Sequence, residues 1–514
     1  MQIITCAQMK EMERQAIASG ISAIRLMENA GCAATRCIRE TVPVSGKRCL
    51  VLCGRGNNAG DGFVVARRLM EAGAQVAVIM ACGAPAAPEA AEMYERLTAL
   101  RPIVIDVAEL ERQSGTIRSS DLIVDAVFGT GFHGEIEDAR LATLFEAVNG
   151  SGATIFSLDM PSGTNADTGE AATGCIRAQV TVTFGAPKAG QYLYPAARYC
   201  GRIHAVDIGI SEFAKEPDGG GIALLEGADI AHMLPVRAQD SNKGSYGKVL
   251  CICGSLGMAG AAYLSTSGAM RSGAGLVTLC VPQPIYLPVA AKLNECLVYP
   301  LDATVNGTFS YSCLGRIEGL AKSASVVLIG CGLSRDEETQ HLVHALVSGK
   351  NLADKVIILD ADGINAFAGH IDLLRTSGAE IVLTPHPGEM SRLCGKTIPD
   401  IQEHRLETAK SFAMENGVTL VLKGANTVIA SSDGSLFINP TGNPGMAKGG
   451  SGDILAGMIA GLRAQGLACA HAACCGAFIH GAAGDRAAEK LSQYGMLPTD
   501  LLMEVPQIFR EMSR

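Results

Sequence analysis

Short apolar runs alternate with helical segments in both halves of the chain, and most of these runs end in glycine, aspartate or proline. The runs cover residues 48–54, 74–80, 121–129 and 154–163 in the first half, and 248–255, 325–332, 355–363, 380–388 and 419–427 in the second. Strand, crossover helix and strand in succession predict a mostly parallel sheet in each half. Ligands of such sheets bind at the carboxyl ends of the strands, which is where these glycines and aspartates lie.

Length and charge narrow the class of protein. A chain of 514 residues is long enough for more than one core. The polar, glycine-rich segment 211–221 predicts a boundary between two domains, residues 1–215 and 222–514. Lys and Arg number 42 against 51 Asp and Glu, a net charge of −9, which argues against a nucleic-acid surface.

Three further patterns predict a cytoplasmic protein with no membrane partner. The first twenty residues carry charges and no apolar core, so they do not form a signal peptide. The longest uncharged run, 464–484, is rich in Ala and Gly and predicts a packed core helix rather than a membrane span. The 18 cysteines contain no C-x-x-C pair, and most lie in apolar runs, which favours reduced, buried thiols.

The first glycine-rich loop, residues 54–62, joins a strand to a helix-like segment. It is similar to the dinucleotide fingerprint, but its third glycine comes one place late. Backbone N–H groups at a helix N-terminus suit phosphate, and Asn57, Asn58 and Asp61 add side-chain oxygens. A tight turn with an Asn or Asp cap is the alternative.

Strand ends in the first half carry further polar side chains. If Asn58, Asp125 and Ser162 converge, they form an all-oxygen site for a hard cation; a helix cap is the alternative for an isolated aspartate. Asp159 ends another strand. Lys188, in the segment 182–190, follows another strand and is a candidate phosphate or acid/base group, unless it is simply exposed.

The most specific pattern of the second half is the loop at residues 443–453. Glycines at 449, 450 and 452 leave N–H groups free to surround an anion, and the following helix directs its positive end to the same place. Asp453 stands at the helix start. A carboxylate there can take a proton from a hydroxyl group beside the anion site, although an N-cap is the alternative interpretation.

Other motifs of the second half fit the same kind of site. Lys423 precedes a glycine turn at a strand end, which suits nucleotide phosphate or ribose, and Ala261 follows a glycine in a small-residue helix that a ligand can approach closely. His386 stands between two prolines in a rigid loop, and a purely structural role is its alternative. No Walker A loop is present, because residue 390, where its first glycine belongs, is methionine.

Four motifs of the first half, CGRGNNAGDG, DAVFGTGFHG, DMPSG and FGAPKAG, together resemble the NAD(P)H-hydrate epimerase domain over residues 1–213. The resemblance implies a three-layer Rossmann-like α/β/α fold and interconversion of the R and S forms of NAD(P)H hydrate. It implies K⁺ binding by Asn58, Asp125 and Ser162, and proton transfer by Asp159 or Lys188. The implied substrate-binding residues are Asn57, Asn58, Ala59, Gly60, Asp61, Gly129, Thr130, Gly131, Phe132, His133, Gly134, Glu135 and Asp159. Ala59 departs from the family, which commonly has glycine there.

The second half resembles the ADP- or ATP-dependent NAD(P)H-hydrate dehydratase domain of the ribokinase-like superfamily, also a three-layer α/β/α fold. The match covers about 240–514 and includes the motifs LDADG, TPHPGE and NPGMAKGGSGD. It implies Asp453 as catalytic base and Mg²⁺ with ADP. Asp453, Ala261, Gly332 and His386 would face the hydrate, and Lys423, Gly424, Ala425, Asn426, Thr427 and Gly452 would face the adenine nucleotide. Two departures are Ser451 for the frequent threonine, and Cys331 in a loop that is usually PGLG.

Together the two resemblances imply a fused repair enzyme whose small-molecule substrates are NADH hydrate, NADPH hydrate and ADP, and which assembles as a homo-oligomer. Two alternatives stay open. One is a small-alcohol kinase, because that superfamily shares the GGSGD loop, but it leaves the first half unexplained. The other is a first half that only binds nucleotides or proteins and regulates the second.

Overall fold

The computed structural model describes residues 1–213 and 220–513, apart from the side chains of residues 110–114. The chain divides into two compact units, Gln2–Pro217 and Asp218–Arg514 together with Met1. Much of the segment predicted to separate two domains, with limits at 215 and 222, falls on residues 214–219, outside the described residues.

The first unit is built on a seven-stranded sheet in the order β4-β3-β2-β5-β6-β7-β8, and all its strand pairs are parallel. The unit contains β1 (Gln2–Ile3), which is not part of this sheet, and the seven sheet strands β2 (Arg48–Cys53), β3 (Gln75–Met80), β4 (Ile103–Asp106), β5 (Leu122–Ala126), β6 (Thr154–Leu158), β7 (Val180–Phe184) and β8 (Arg202–Val206). Its helices are α1 (Cys6–Ala18), α2 (Ala23–Thr41), α3 (Asn57–Glu71), α4 (Pro88–Thr98), α5 (Leu110–Ser119) and α6 (Ala139–Asn149).

Side chains of the central strand β2 alternate between two separate cores. Cys49 and Val51 pack into the core that contains α2 and α3, whereas Leu50 and Leu52 pack into the core that contains α6. Successive side chains of a strand point to opposite faces, so an unbroken apolar run such as RCLVLC requires cover on both faces. The result is the expected three-layer α/β/α arrangement.

Helix α3 corrects one expectation from the sequence. The glycine-rich segment was expected to be a loop through residue 62, with the helix starting at Phe63, but α3 already begins at Asn57. A Cβ on Gly60 would lie 2.3 Å from the sulfur of Met27, and one on Gly62 would lie 2.6 Å from Ala126. These two glycines therefore allow α3 to pack closely on α2 and the sheet, and do not form an open turn.

Ten strands of the second unit form a sheet in the order β9-β18-β17-β16-β15-β14-β13-β10-β11-β12. Only the pairs β16–β17 and β17–β18 among these strands are antiparallel. The strands are β9 (Ile222–Leu224), β10 (Lys248–Ile252), β11 (Leu276–Pro282), β12 (Leu297–Leu301), β13 (Val326–Ile329), β14 (Val356–Leu359), β15 (Glu380–Leu383), β16 (Thr419–Leu422), β17 (Thr427–Ala430) and β18 (Leu436–Asn439).

Thirteen helices accompany this sheet in the described part of the chain: α7 (Gly227–Met233), α8 (Ala259–Arg271), α9 (Tyr286–Ala290), α10 (Leu314–Ala321), α11 (Glu337–Ser348), α12 (Asp362–Asn365), α13 (Asp372–Arg375), α14 (Pro387–Cys394), α15 (Ile398–Glu403), α16 (Arg405–Asn416), α17 (Ser451–Ala464), α18 (Cys469–Gly495) and α19 (Pro498–Met512). Most of the uncharged run 464–484 lies in α18, whose residues 472–481 are buried, as expected of a core helix. No described helix is long and apolar enough to cross a membrane.

Helices α8 and α17 pack with their backbones in contact. A Cβ on Gly457 of α17 would lie 1.9 Å from the carbonyl oxygen of Ser265 in α8, and one on Gly268 of α8 would lie 2.5 Å from the carbonyl oxygen of Ile454. Only glycine permits such an approach. This packing fixes the first half of α17 against the middle of α8.

Candidate active sites

A cleft of about 780 Å³ opens at the carboxyl ends of the strands in the first unit. Its volume is within the usual range for small-molecule sites. Nine of the residues that the resemblance implied as substrate-binding line it: Asn57, Asn58, Asp61, Gly129, Thr130, Gly131, Phe132, His133 and Asp159. The topology brings them together because β2, β5 and β6 are neighbouring parallel strands.

The remaining expected residues of this set lie elsewhere. Ala59 and Gly60 are buried on the packed side of α3, where Ala59 is wholly inaccessible and Gly60 contacts Met27. Gly134 and Glu135 are not among the residues lining the cleft, and the Glu135 carboxylate accepts a hydrogen bond from the backbone N–H of Thr173 instead. The helical start of α3 explains the first pair, because successive residues of a helix point in different directions.

Asp159 and Lys188 form a buried ion pair at the floor of this cleft. The Lys188 ammonium group is wholly buried and lies 2.5 Å from Oδ1 of Asp159. It also donates to the hydroxyl of Thr183 at 3.0 Å and to the carbonyl of Phe184 at 2.9 Å. The alternative of an exposed lysine is therefore wrong. Asp159 has a φ of +62°, a conformation that costs a non-glycine residue energy.

Asp125 and Ser162 meet beside the cleft, and Asn58 lies against Gly129, four residues after Asp125. Asp125 is wholly buried and accepts hydrogen bonds from the Ser162 hydroxyl (2.5 Å) and backbone N–H (2.8 Å), and from Ser157 (2.8 Å). Burial raises the pKa of Asp125, and these hydrogen bonds oppose the rise. Neither the Oδ1 nor the Nδ2 atom of Asn58 has a hydrogen-bond partner, although both are buried. A Cβ on Gly129 would lie 3.3 Å from the Asn58 side chain, so glycine at 129 leaves room for this amide.

Two more carboxyl groups, Asp61 and Glu13, line the cleft. Burial, and then the negative charges of Asp159 and Glu13, raise the pKa of Asp61 well above its usual range. Burial and the charge of Asp159 also raise the pKa of Glu13. Sequence reasoning missed Glu13, which lies within α1; an acidic residue in an ordinary helix gives no local signal of a ligand site.

In the second unit, Asp453 lies in the first turn of α17, as the sequence predicted. The residue before the helix, Gly450, has a φ of +103°, and a Cβ there would lie 2.5 Å from Leu264. Burial, and then the nearby charge of Asp360, raise the pKa of Asp453 to about 6. The N–H groups of a first helical turn lack partners within the helix, so this carboxylate stands beside donors suited to an anion.

Lys423, which was predicted to face the nucleotide, lies beside Gly452, the residue before Asp453. Its ammonium group lies 2.8 Å from Oδ1 of buried Asp360 and 3.8 Å from Glu389. Burial alone would lower the pKa of Lys423, but these two carboxylates outweigh it and raise the pKa. A Cβ on Gly452 would lie 3.3 Å from the Lys423 ammonium group, which shows that Gly452 and Lys423 are neighbours.

The other residues of the predicted nucleotide set form the exposed turn between β16 and β17. Gly424 and Ala425 are exposed, and the Thr427 hydroxyl donates to the Gly424 carbonyl at 3.0 Å. Asn426 has a φ of +52°, as a residue of a tight turn can. The turn leaves its backbone accessible to a ligand.

The residues implied to face the hydrate are Ala261, Gly332 and His386, besides Asp453. Ala261 and Gly332 touch, since a Cβ on Gly332 would lie 2.7 Å from the Ala261 methyl group. His386 caps α14: its Nδ1 accepts from the N–H groups of Gly388 (3.0 Å) and Glu389 (3.3 Å). Its side chain is half exposed, so the structural role leaves one edge of the ring accessible.

His480 of α18 supports the start of α17, a role that sequence reasoning missed. It is 7% exposed, and its Nε2 lies 2.9 Å from the carbonyl oxygen of Ser451. Burial lowers the pKa of His480 to about 4, so the ring is neutral at neutral pH and Nε2–H is the donor. A histidine within a run of Ala, Gly and Cys was the only local signal.

Comparisons with known families agree with the resemblance inferred for each half of the chain. A family profile described as NAD(P)H-hydrate dehydratase matches residues 249–507, and one described as YjeF-related protein N-terminus matches residues 23–190. "Bifunctional NAD(P)H-hydrate repair enzyme Nnr" of Moorella thermoacetica is 40% identical, with 100% of this chain and 97% of the relative covered. The protein of the same description from Escherichia coli K12 is 34% identical, with 95% and 90% covered.

A solved structure described as ADP/ATP-dependent NAD(P)H-hydrate dehydratase from Bacillus subtilis, co-crystallised with ATP/Mg²⁺, is 31% identical. It covers 56% of this chain and 98% of that chain, with a TM-score of 0.48. The architecture and the profile matches define the class, a two-domain α/β enzyme with a Rossmann-like first domain and a ribokinase-like second domain. The chain belongs to the family of bifunctional NAD(P)H-hydrate repair enzymes.

Proposed function

We propose that this enzyme repairs hydrated NADH and NADPH at two sites. The first unit interconverts the R and S hydrates, and the second dehydrates the S form with ADP, releasing NAD(P)H, AMP and phosphate. Relatives that match nearly the whole chain are described as bifunctional repair enzymes for NAD(P)H hydrate. The observation that carries the proposal is the Asp453 carboxylate in the first turn of α17, beside the Lys423–Asp360 pair.

For epimerisation, the geometry supports Asp159 as the group that moves a proton. Asp159 lines the cleft, whereas Lys188 lies beneath it and has all three ammonium hydrogens directed at acceptors. A fully bonded, buried ammonium group is unsuited to proton transfer, but it holds a neighbouring carboxylate in a fixed orientation. We assign Asp159 as the acid/base residue and Lys188 as its positioning residue, and the nine cleft-lining residues as the substrate site.

A potassium ion fits the cluster of Asn58, Asp125 and Ser162. The two unpartnered atoms of the Asn58 amide are the supporting observation, because buried polar groups are normally hydrogen-bonded or bound to an ion. The cluster offers oxygen atoms, which hard cations prefer. A bound K⁺ would supply positive charge next to the cleft, while Asn58 and Gly129 would hold the substrate-binding loops together.

For dehydration, the hydroxyl group of the S hydrate has to become a better leaving group. Asp453 removes the hydroxyl proton, and the hydroxyl oxygen then attacks the β-phosphorus of ADP. The β-phosphoryl group is transferred to this oxygen, and AMP is the leaving group. The α17 N-terminus stabilises the negative charge of the transferring group. The ring nitrogen of the phosphorylated hydrate then expels phosphate, and loss of a proton from the neighbouring ring carbon restores the double bond.

The adenine nucleotide enters as its Mg²⁺ complex, and the metal neutralises phosphate charge. We place this nucleotide against Gly452 and the turn from Lys423 to Thr427, and the hydrate against Ala261, Gly332 and His386. The neighbourhood of Gly452 and Lys423, and the contact of Ala261 with Gly332, support this division. ADP rather than ATP as the donor follows the resemblance to fused enzymes of this family.

We also propose a cytoplasmic location, where both substrates arise from NADH and NADPH. All 18 cysteines are free thiols, which suits a reducing compartment. No nucleic-acid or membrane partner is expected, and the homo-oligomer implied by the resemblance stays a prediction.

The decisive experiment supplies mixed R and S NADH hydrate with K⁺, Mg²⁺ and ADP, and follows the absorbance of NADH. Complete conversion is expected if both sites work. Conversion that stops at the S fraction, apart from slow spontaneous epimerisation, contradicts the epimerase assignment. No NADH, but AMP and a stable phosphorylated product from another alcohol, favours the small-alcohol kinase.

A further inference from the structure

The thiol of Cys331 lies between the two carboxylates of the second site. Cys331 follows β13, and its side chain is wholly buried. Its Sγ lies 3.6 Å from Oδ2 of Asp360. The Sγ atom and one carboxylate oxygen each from Asp360 and Asp453 all lie within 4.8 Å of one another. The sequence marked Cys331 only as a departure from the family loop.

This thiol is a hydrogen-bond donor. Contact with the Cys253 thiol, burial and the two carboxylates raise the pKa of Cys331 well above its usual value, so the S–H proton is retained. A thiol has one proton to donate. It therefore directs that proton towards carboxylate oxygen, with Asp360 and Asp453 as the two acceptors in reach.

Asp360 and Asp453 differ in the hydrogen-bond donors that already surround them. Oδ1 of Asp360 already accepts from the Lys423 ammonium group (2.8 Å) and from the Thr384 hydroxyl (2.7 Å). Asp453 is partly buried and faces the negative charge of Asp360, and the contact with Cys331 counteracts the resulting rise in its pKa. The thiol is thus a neutral donor close to both carboxylates, 3.6 Å from Asp360 and within 4.8 Å of an oxygen of Asp453.

We propose that Cys331 is a positioning residue for Asp453, holding that carboxylate charged and directed at the substrate hydroxyl by a hydrogen bond from its S–H group. The inference rests on the proposed role of Asp453 as the base. It adds a second residue, Cys331 at the end of a neighbouring strand, which acts on Asp453 and touches neither the hydrate nor the nucleotide.

Other charged groups near Asp453 also shift its pKa. Asp360 and Asp362 raise the pKa of Asp453, and Lys423 lowers it. Glu389 and His386 are one step further away, paired with each other and with Lys423. Replacing Cys331 removes none of these charges, so a change in the titration of Asp453 reports the loss of the thiol together with its contacts to the two carboxylates.

The test compares wild-type protein with Cys331→Ala and Cys331→Ser, measuring kcat/KM for dehydration of the S hydrate from about pH 5 to about pH 9. Removing the donor destabilises the charged form, so Cys331→Ala moves the acidic limb upward by about half a unit. Well below the limb that is about a threefold loss of kcat/KM, with the plateau at higher pH largely kept. Cys331→Ser keeps a donor and is expected to leave the limb at or below the wild-type position.

Cys280→Ala is the matched control, since it removes another wholly buried thiol, on β11, and should leave the limb unchanged. Coincident limbs for wild type and Cys331→Ala overturn the proposal, as does an upward shift in Cys331→Ser. If Cys331→Ala does not fold, the serine variant decides alone by the same criterion. Asp453→Asn distinguishes failure of the proposed base from failure of the role of Cys331. Retained turnover in Asp453→Asn rejects Asp453 as the base. Lost turnover in that variant, together with coincident limbs for wild type and Cys331→Ala, rejects only the role of Cys331.

Discussion

At the scale of single residues, both sites contain a lysine paired with an aspartate that follows a parallel strand. Lys188 pairs with Asp159 in the first unit, and Lys423 pairs with Asp360 in the second. In each case the ammonium group is buried enough that removal of one partner leaves the other charge poorly solvated. The two pairs differ in their surroundings: Asp159 lines its cleft, whereas Asp360 is buried close to Asp453.

Replacing Lys188 with Met tests the first pair. Buried Asp159 would lose its cation, so we expect the free energy of unfolding of the first unit to fall by about 3–5 kcal/mol and epimerisation to be lost. Dehydration of the S hydrate should persist. Calorimetry and the two separate assays measure these effects. Lys10→Met, which removes an exposed lysine at the same cleft, is the control, and equal stability of the two variants would contradict the buried-pair interpretation.

His480 predicts a specific pH dependence. Its pKa is about 4 in the folded protein against an ordinary value of 6.5, so the unfolded chain binds more protons between these values. The stabilising contribution of neutral His480 is present above pH 6.5 and is lost as the pH falls towards 4. The shift amounts to about 3 kcal/mol.

We therefore expect His480→Gln to be destabilising at pH 7, and the difference from wild type to shrink as the pH falls to 4. Thermal unfolding of the second unit at several pH values measures it. His471→Gln, on the exposed part of α18, is the control. Parallel pH curves for wild type and His480→Gln would reject the assignment of a buried neutral ring.

At the scale of elements, the sites depend on where helices begin. Helix α3 starts six residues earlier than the sequence pattern suggests, which directs Asn58 and Asp61 into the cleft and Ala59 and Gly60 into the core. Helix α17 starts as expected, because Gly450 adopts a left-handed conformation that β-carbon-bearing residues avoid. Glycines in the two segments thus serve different purposes, packing in the first and backbone direction in the second.

Gly450→Ala tests the start of α17. The positive φ and the contact with Leu264 impose strain of about 1–2 kcal/mol, and relief of that strain displaces Asp453. We expect dehydration to fall at least about tenfold, while epimerisation is unchanged. Gly466→Ala is the matched control, since Gly466 has a φ of +99° just beyond the other end of the same helix and a Cβ there meets no neighbour. Equal losses of dehydration in both variants would mean that general destabilisation, and not the position of Asp453, causes the effect.

At the scale of the whole molecule, each compact unit contains a complete set of the residues assigned to one reaction. The cleft and the proposed cation ligands Asn58, Asp125 and Ser162 belong to Gln2–Pro217, and Asp453 with its neighbours belongs to the unit that ends at Arg514. An epimerase alone produces no NAD(P)H, and a dehydratase alone consumes only one form. The fusion therefore joins two reactions that complete each other chemically.

This separation predicts complementation between two defective variants. Asp453→Asn should lower NADH formation at least about 100-fold by loss of the base, with epimerisation kept. Asp125→Ala should abolish epimerisation and its dependence on potassium, with dehydration of the S fraction kept. Mixed together, the two proteins should convert both hydrates completely, as followed by NADH absorbance.

Each variant alone, at twice the concentration, is the control for that mixture. Failure of the mixture, with each remaining activity intact, would show that the hydrate does not pass through solution between the sites.

Local sequence patterns predicted a large part of the fold. Buried strands such as β2, β14 and β16 were predicted from their apolar runs, because burial on both faces of the sheet excludes polar side chains. Several strands lay outside the predicted runs, among them β4, β11, β12, β18 and all of β17 except Thr427. Of these, β12 is a partly exposed edge strand with a proline, and β17 and β18 form a short hairpin. Their identity depends on the neighbouring strands that accept them.

The sequence by itself determined the two α/β halves, the positions of Asp453, Asp125 and Asp159 at strand or helix ends, and the family, because these features rest on local periodicity and ordered motifs. The tertiary structure decided which side chains meet. Burial of Lys188 against Asp159, the unpartnered amide of Asn58 and the thiol of Cys331 between two carboxylates all join residues 25 or more positions apart, or isolate a group from water. Such distances and desolvation arise only when strands and helices pack, so no local pattern encodes them.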